Sequence, residues 1–138
     1  MNRELILRRA LWAAAAFNVG GAILFGFPAS LPGRLAGLPE TVPAAYRALT
    51  ALFVLLFGGA YAWLAWQPSI NRPFVAFGAI GKASAFSVFV LLWLAGEASP
   101  SSVGIIGGDL AFAGLFAWCL AGAQAAGPAD EAAARRRG

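Results

Sequence analysis

Histidine is absent from this 138-residue chain and cysteine occurs once, as Cys119. These scarcities exclude a disulfide framework, a Cys/His zinc site and any Ser-His-Asp or Cys-His catalytic arrangement. Charge is scarce as well. Only 12% of residues are charged while 60% are apolar, against about 25% and about 45–50% in soluble domains. A water-soluble globule is therefore not expected. The formal charge of +4 does not point to nucleic acid, because the basic residues flank apolar segments and form no basic face on a soluble element. No cofactor or metal motif is present: Gly78-Ala79-Ile80-Gly81-Lys82 lacks the strand, the loop length and the Ser/Thr of a phosphate loop.

What the chain has in abundance is long apolar runs, at residues 9–27, 46–66, 74–96 and 103–124. Each is close to the ~20 residues that cross a ~30 Å hydrocarbon core as a helix. In lipid the backbone must satisfy its own hydrogen bonds. The expected fold is an all-α integral membrane four-helix bundle: one domain over residues 1–126, then a polar tail at residues 127–138. A basic start before an apolar stretch also fits a signal peptide. The run is long for one, however, and no clean small-x-small site follows, so an uncleaved first span is expected. Arg3, Arg8 and Arg9 precede span one, Arg72 lies between spans two and three, and Arg135, Arg136 and Arg137 end the chain. Opposite them stand only Arg34 and Arg47. The positive-inside rule then makes both termini cytoplasmic, and anionic headgroups would add to the attraction.

The loops differ in content. Residues 28–43 carry Leu31, Leu35 and Leu38 at helical spacing, which suits a short interfacial turn. Pro68 and Pro73 stop one helix and start the next. Ser101 or Ser102 is placed to cap span four. A short aromatic-Ala-Trp match links Tyr61-Ala62-Trp63 in span two with Phe116-Ala117-Trp118 in span four, as a two-plus-two duplication would.

Two residues need explaining in lipid. A charge near the bilayer centre costs about 2.5–3.5 kcal/mol on insertion scales, and Lys82 and Asp109 both fall inside spans. At ~1.5 Å per residue, Lys82 lies roughly 12 Å in from the cytoplasmic end and Asp109 roughly 9 Å in from the outer end. Their backbones then differ in height by ~9 Å, a gap that a lysine stem largely covers. Asn18 falls between them, and Thr50 falls at about the level of Asp109. Arg47, Thr50 and Tyr61 form one stripe of span two. The expected polar layer is Asn18, Thr50, Lys82 and Asp109, with Tyr61 on one side and Arg47 as an outer rim. The alternatives are separate snorkelling to the two interfaces or a structural ion pair that fixes register. Ser84 and Ser87 have a local outlet in the i−4 carbonyl. Gly104-x-x-x-Gly108 has the spacing for close helix approach. The Phe and Trp side chains, including Trp63, Trp66, Trp93 and Trp118, read first as lipid-facing bulk and interfacial belt, with the lining of a lipophilic pocket as the alternative. Cys119 reads as an inert small hydrophobe.

Phe17-Asn18, Phe27-Pro28, Ala36-Gly37-Leu38-Pro39, Gly59-x-Tyr61, Pro68, Gly81-Lys82 and Asp109-Leu110 occur in that order. The set, over about residues 8–122, resembles small bacterial four-helix membrane proteins, a group without an assigned activity. The architecture alone is similar to DoxX-like proteins. The resemblance implies a multi-pass protein of a bacterial inner membrane and draws attention to Asn18, Lys82 and Asp109; it supplies no reaction. An Asn commonly precedes the span-four Asp in that group, and here Gly108 takes its place.

Three functions fit these residues. The first is a binding or accessory protein with an intrabilayer polar site for a small lipophilic ligand. The second is a proton- or ion-coupled carrier acting as a homo-oligomer, since four helices are expected to enclose little volume. The third is an intramembrane isomerase or reductase of an apolar substrate, with Lys82 or Asp109 as acid or base and Tyr61 as a further donor. Lipid is the expected partner and nucleic acid is not.

Overall fold

The structure, a computed structural model, describes residues 3–124; the tail expected at residues 127–138 lies outside the described residues. Five helices follow in order: α1 Arg3–Gly26, α2 Leu31–Leu35, α3 Ala44–Trp66, α4 Arg72–Leu94 and α5 Pro100–Gln124. All but α2 are long and apolar enough to cross a bilayer, and the chain is an integral membrane protein. Arg3 lies against Trp118, with its guanidinium 4.8 Å from the indole ring. The start of α1 and the end of α5 therefore share one face of the bundle, here the terminal side; α2 lies on the other.

The four long helices form two hairpins. α1 packs along α3 and α4 along α5, with α1 against α5 as the closest seam between hairpins. No comparable backbone contact joins α3 to α4. On the terminal side the hairpins close on a core of Leu7, Leu11, Leu64, Val75, Tyr61 and Phe116. The rings of Tyr61 and Phe116, the aromatic members of the two short matching motifs, meet there at 5.7 Å.

Helix ends follow their local chemistry. Asn71 accepts from the Phe74 amide at 3.1 Å and starts α4. For α5 the cap is neither Ser101 nor Ser102: the Ser102 amide donates to Ser99 Oγ at 3.1 Å. Pro100 occupies the first helical position, where its missing N–H is harmless, and so moves the cap one residue earlier. Gly37 and Gly96, at φ 70° and 79°, close α2 and α4 in the left-handed conformation that such C-terminal turns require.

The basic residues of the terminal side do more than mark topology. Arg8 donates to the carbonyls of Ala65 at 2.9 Å and Pro68 at 2.8 Å, at the end of α3. Arg72 donates to the Leu120 carbonyl at 2.7 Å near the end of α5. Arg8 satisfies carbonyls at a helix end that no backbone amide reaches, and both guanidinium groups oppose the negative end of a helix dipole. A basic residue beside an apolar run carries no sequence sign of this second role.

Candidate functional site

The polar cluster sits where the packed half of the bundle ends. Lys82, only 5% exposed, projects from the middle of α4. Its Nζ forms an ion pair with Asp109 Oδ1 of α5 and donates to Asn18 Oδ1 of α1 at 2.9 Å. Asn18 in turn donates from Nδ2 to the Val54 carbonyl of α3 at 3.0 Å. All four spanning helices thus meet in one hydrogen-bonded chain. An unpaired ammonium in lipid would be costly, and here two oxygens receive it. Separate snorkelling of Lys82 and Asp109 is not what the geometry contains.

Aromatic faces surround the ammonium. Nζ lies 5.3 Å from the ring centres of Phe17 and Tyr61 and 5.4 Å from that of Phe112, within the range of cation–π attraction. Glycines make the room for these groups. A Cβ on Gly78 would meet the Tyr61 ring at 2.8 Å, one on Gly108 the Phe17 ring at 2.6 Å, and one on Gly58 the Asn18 Cβ at 3.1 Å. Of the expected Gly104-x-x-x-Gly108 pair, only Gly108 has a close neighbour; Gly104 meets nothing within 4 Å. For Phe17 it is the alternative reading of the aromatics, as pocket lining, that matches its place, and nothing in the sequence surroundings of Phe17 or Phe112 sets them apart from the other phenylalanines.

The other expected members of the layer are placed differently. Thr50 is exposed and donates to the Tyr46 carbonyl at 2.8 Å, within its own helix. It stands beside the cavity described below but outside the hydrogen-bonded chain. The backbone acceptor one turn earlier is always within reach of its hydroxyl, whereas the ammonium is not. Arg47 lies a turn beyond, in the first turn of α3, and belongs neither to the cluster nor to the cavity wall. Tyr61 is buried with its hydroxyl aimed at the Gly78 carbonyl at 3.4 Å, which occupies the donor that the enzyme reading needed. Ser87 donates back to the Ala83 carbonyl at 2.9 Å.

Beyond the cluster, toward α2, the hairpins diverge around a cavity of about 720 Å³. Lys82, Asp109, Asn18 and Tyr61 form its floor, and its walls are apolar, including Leu24, Phe25, Val54, Phe57, Phe89 and Ile106. Exposed lining residues mark two lateral openings. Gly20, Ile23 and Ile105 lie on the α1–α5 side, and Thr50, Phe53 and Gly81 on the α3–α4 side. A single chain therefore encloses a ligand-sized volume, contrary to the expectation that four helices hold little space. The divergence of the hairpins creates that volume. Of the aromatics considered as pocket lining, phenylalanines line the cavity, while Trp63, Trp66, Trp93 and Trp118 are outside it and exposed on the surface. Cys119 is buried in the core on the terminal side.

Pro32, Ala36 and Leu38 cover the far end of the cavity. The cover is tied to α5 by Ser102, whose buried Oγ lies 3.0 Å from the Ala36 carbonyl and 3.1 Å from that of Gly37. Ser99 Oγ adds a longer contact to the Gly37 carbonyl at 3.5 Å. Leu31 and Leu35 point away from the cavity, so of the three leucines at helical spacing only Leu38 faces inward. Among the described residues no group of three or more metal-ligating side chains occurs. The chain matches no family model, no curated protein and no solved structure.

Proposed function

We propose that this integral membrane protein is a binding or accessory protein that holds a small lipophilic molecule within the bilayer, its polar end at the Lys82–Asp109–Asn18 floor. The observation that carries the reading is the coincidence of a cavity of about 720 Å³, apolar along its walls, with a buried ion pair at its base. A structural ion pair alone would be served by a filled bundle. Binding sites combine an apolar enclosure with a few convergent polar groups, and the cavity has both. The lateral openings suit a ligand that arrives from the hydrocarbon, and the pinned α2 segment closes the direct path from water.

The terminal side is assigned to the cytoplasm and the membrane to a bacterial inner membrane. What supports the orientation is Arg3, Arg8, Arg9 and Arg72 on that side against Arg34 and Arg47 on the other.

Photolabelling tests the binding reading. An apolar alkyl-diazirine probe in nanodiscs is expected to label peptides containing Phe53 and Phe89, and Ala85→Trp, which fills the cavity from α4, to abolish that labelling. Labelling confined to lipid-facing positions such as Leu56 and Leu91, unchanged in the variant, would refute it.

A further inference from the structure

The floor of the cavity states a chemical requirement. An ammonium has three N–H donors. Lys82 directs one to Asp109 Oδ1 and one to Asn18 Oδ1; the third meets no acceptor among the described residues. Asp109 presents the complementary need. Its Oδ1 is taken by Lys82, while its second carboxylate oxygen accepts no hydrogen bond among the described residues. The Asp109 side chain is 13% exposed and lines the cavity beside Lys82. Lys82 and Asp109, each with a hydrogen-bonding position unused among the described residues, thus line the same apolar chamber.

Charge balance narrows the ligand further. The ion pair is already neutral, so a carboxylate or an amine arriving at the floor would add a net charge in a medium of low dielectric constant, at high cost. A phospholipid headgroup faces the same barrier, because Lys82 sits in the middle of a membrane-spanning helix. A neutral carbonyl could accept from the ammonium but leaves the carboxylate oxygen unmet. A hydroxyl carries one donor and two lone pairs on a single atom.

Resting on the binding reading above, we propose that the ligand is a neutral lipid alcohol. Its hydroxyl accepts from Lys82 Nζ and donates to the free oxygen of Asp109, and its hydrocarbon chain lies along Phe25, Phe89 and Ile106 toward the α2 cover. The alcohol sits with its polar end deep and its chain toward the surface, the reverse of an ordinary lipid. A single hydroxyl can be carried to that depth at a cost that two hydrogen bonds offset; a charged head cannot.

The test is competition in nanodiscs against the apolar diazirine probe, using competitors matched in chain length and compared at equal membrane mole fraction: myristyl alcohol, the corresponding methyl ketone, myristate and the alkane. The alcohol is expected to compete about tenfold better than the alkane, as two net hydrogen bonds allow. The ketone should fall between them and myristate below the alcohol. In the double variant Lys82→Met/Asp109→Leu, the alkane should still compete and the advantage of the alcohol should vanish. Equal competition by alcohol and alkane overturns the proposal, as does a ketone equal to the alcohol or a myristate better than it. Each of those results leaves the cavity in place as a lipophile site. If no competitor displaces the probe and the label lies outside the cavity, the binding reading fails and this proposal fails with it. The competitor series on the unmodified protein decides the matter even if the double variant does not fold.

Discussion

The terminal-side half of the bundle and the half beneath α2 are made by the same four helices, with opposite results. In the first, Leu11, Leu64, Val75 and Phe116 are fully enclosed and the hairpins touch. In the second, the helices part around an apolar chamber covered by a segment held through serine hydroxyls. The polar chain from Val54 through Asn18 and Lys82 to Asp109 lies at the boundary between them. In lipid no hydrophobic drive forces helices together, so packing and interhelical hydrogen bonds decide where they meet. The hydrogen bond from the paired Lys82 to Asn18 joins the two hairpins at one level, leaving the segments beyond it free to diverge. Filled and hollow halves therefore reflect where polar attachment and close-fitting glycines occur.

The largest expected effect breaks that boundary. Lys82→Met leaves the Asp109 carboxylate without its counter-ion, and removing one partner of a buried pair costs about 3–5 kcal/mol. The double variant Lys82→Met/Asp109→Leu should regain most of that loss, because an apolar pair of similar volume is tolerated. Thermal unfolding in detergent, arranged as a double-mutant cycle, measures both; additive losses would mean that the two residues are not coupled.

A smaller effect separates the halves directly. Gly78→Ala places a methyl 2.8 Å from the Tyr61 ring, whereas a Cβ at Gly81, one turn along the same helix, meets nothing within 4 Å. The first substitution is expected to destabilise by about 1–3 kcal/mol through overpacking. Gly81→Ala should be neutral or slightly stabilising, since alanine is the better helix former. Equal effects at the two positions would contradict a filled half and a hollow half.

The smallest effect concerns the cover. Ser102→Ala removes the hydroxyl that reaches the Ala36 and Gly37 carbonyls, worth about 0.5–1.5 kcal/mol. The expected readout is faster amide exchange over residues 33–38 with little change in global unfolding. Unchanged exchange would mean that the covering segment is held by its apolar contacts alone.

How much of this was legible beforehand follows from what lipid does to a sequence. Span number and extent were readable, because crossing hydrocarbon demands an unbroken apolar length whatever the helices later touch. The meeting of Lys82 with Asp109 was readable as one of three options, since a charge in lipid needs either a partner or an interface and a lysine stem largely covers the ~9 Å between their heights. Thr50 and Arg47 were grouped with them on height and stripe alone, yet Thr50 bonds within its own helix and Arg47 stands apart. For apolar positions even less was available. Lipid-facing and core-facing sides of a membrane helix have the same composition, so Phe17 on the ammonium and Trp118 on the surface looked alike until the helices were rotated into place. The sequence alone determined that four apolar helices cross the bilayer and that two of them carry groups unable to remain bare there. Only the tertiary structure decided which rings enclose the ammonium, which serine holds the cover and where the hairpins part, because in a solvent as apolar as the side chains themselves, only packing fixes the turn of a helix about its axis.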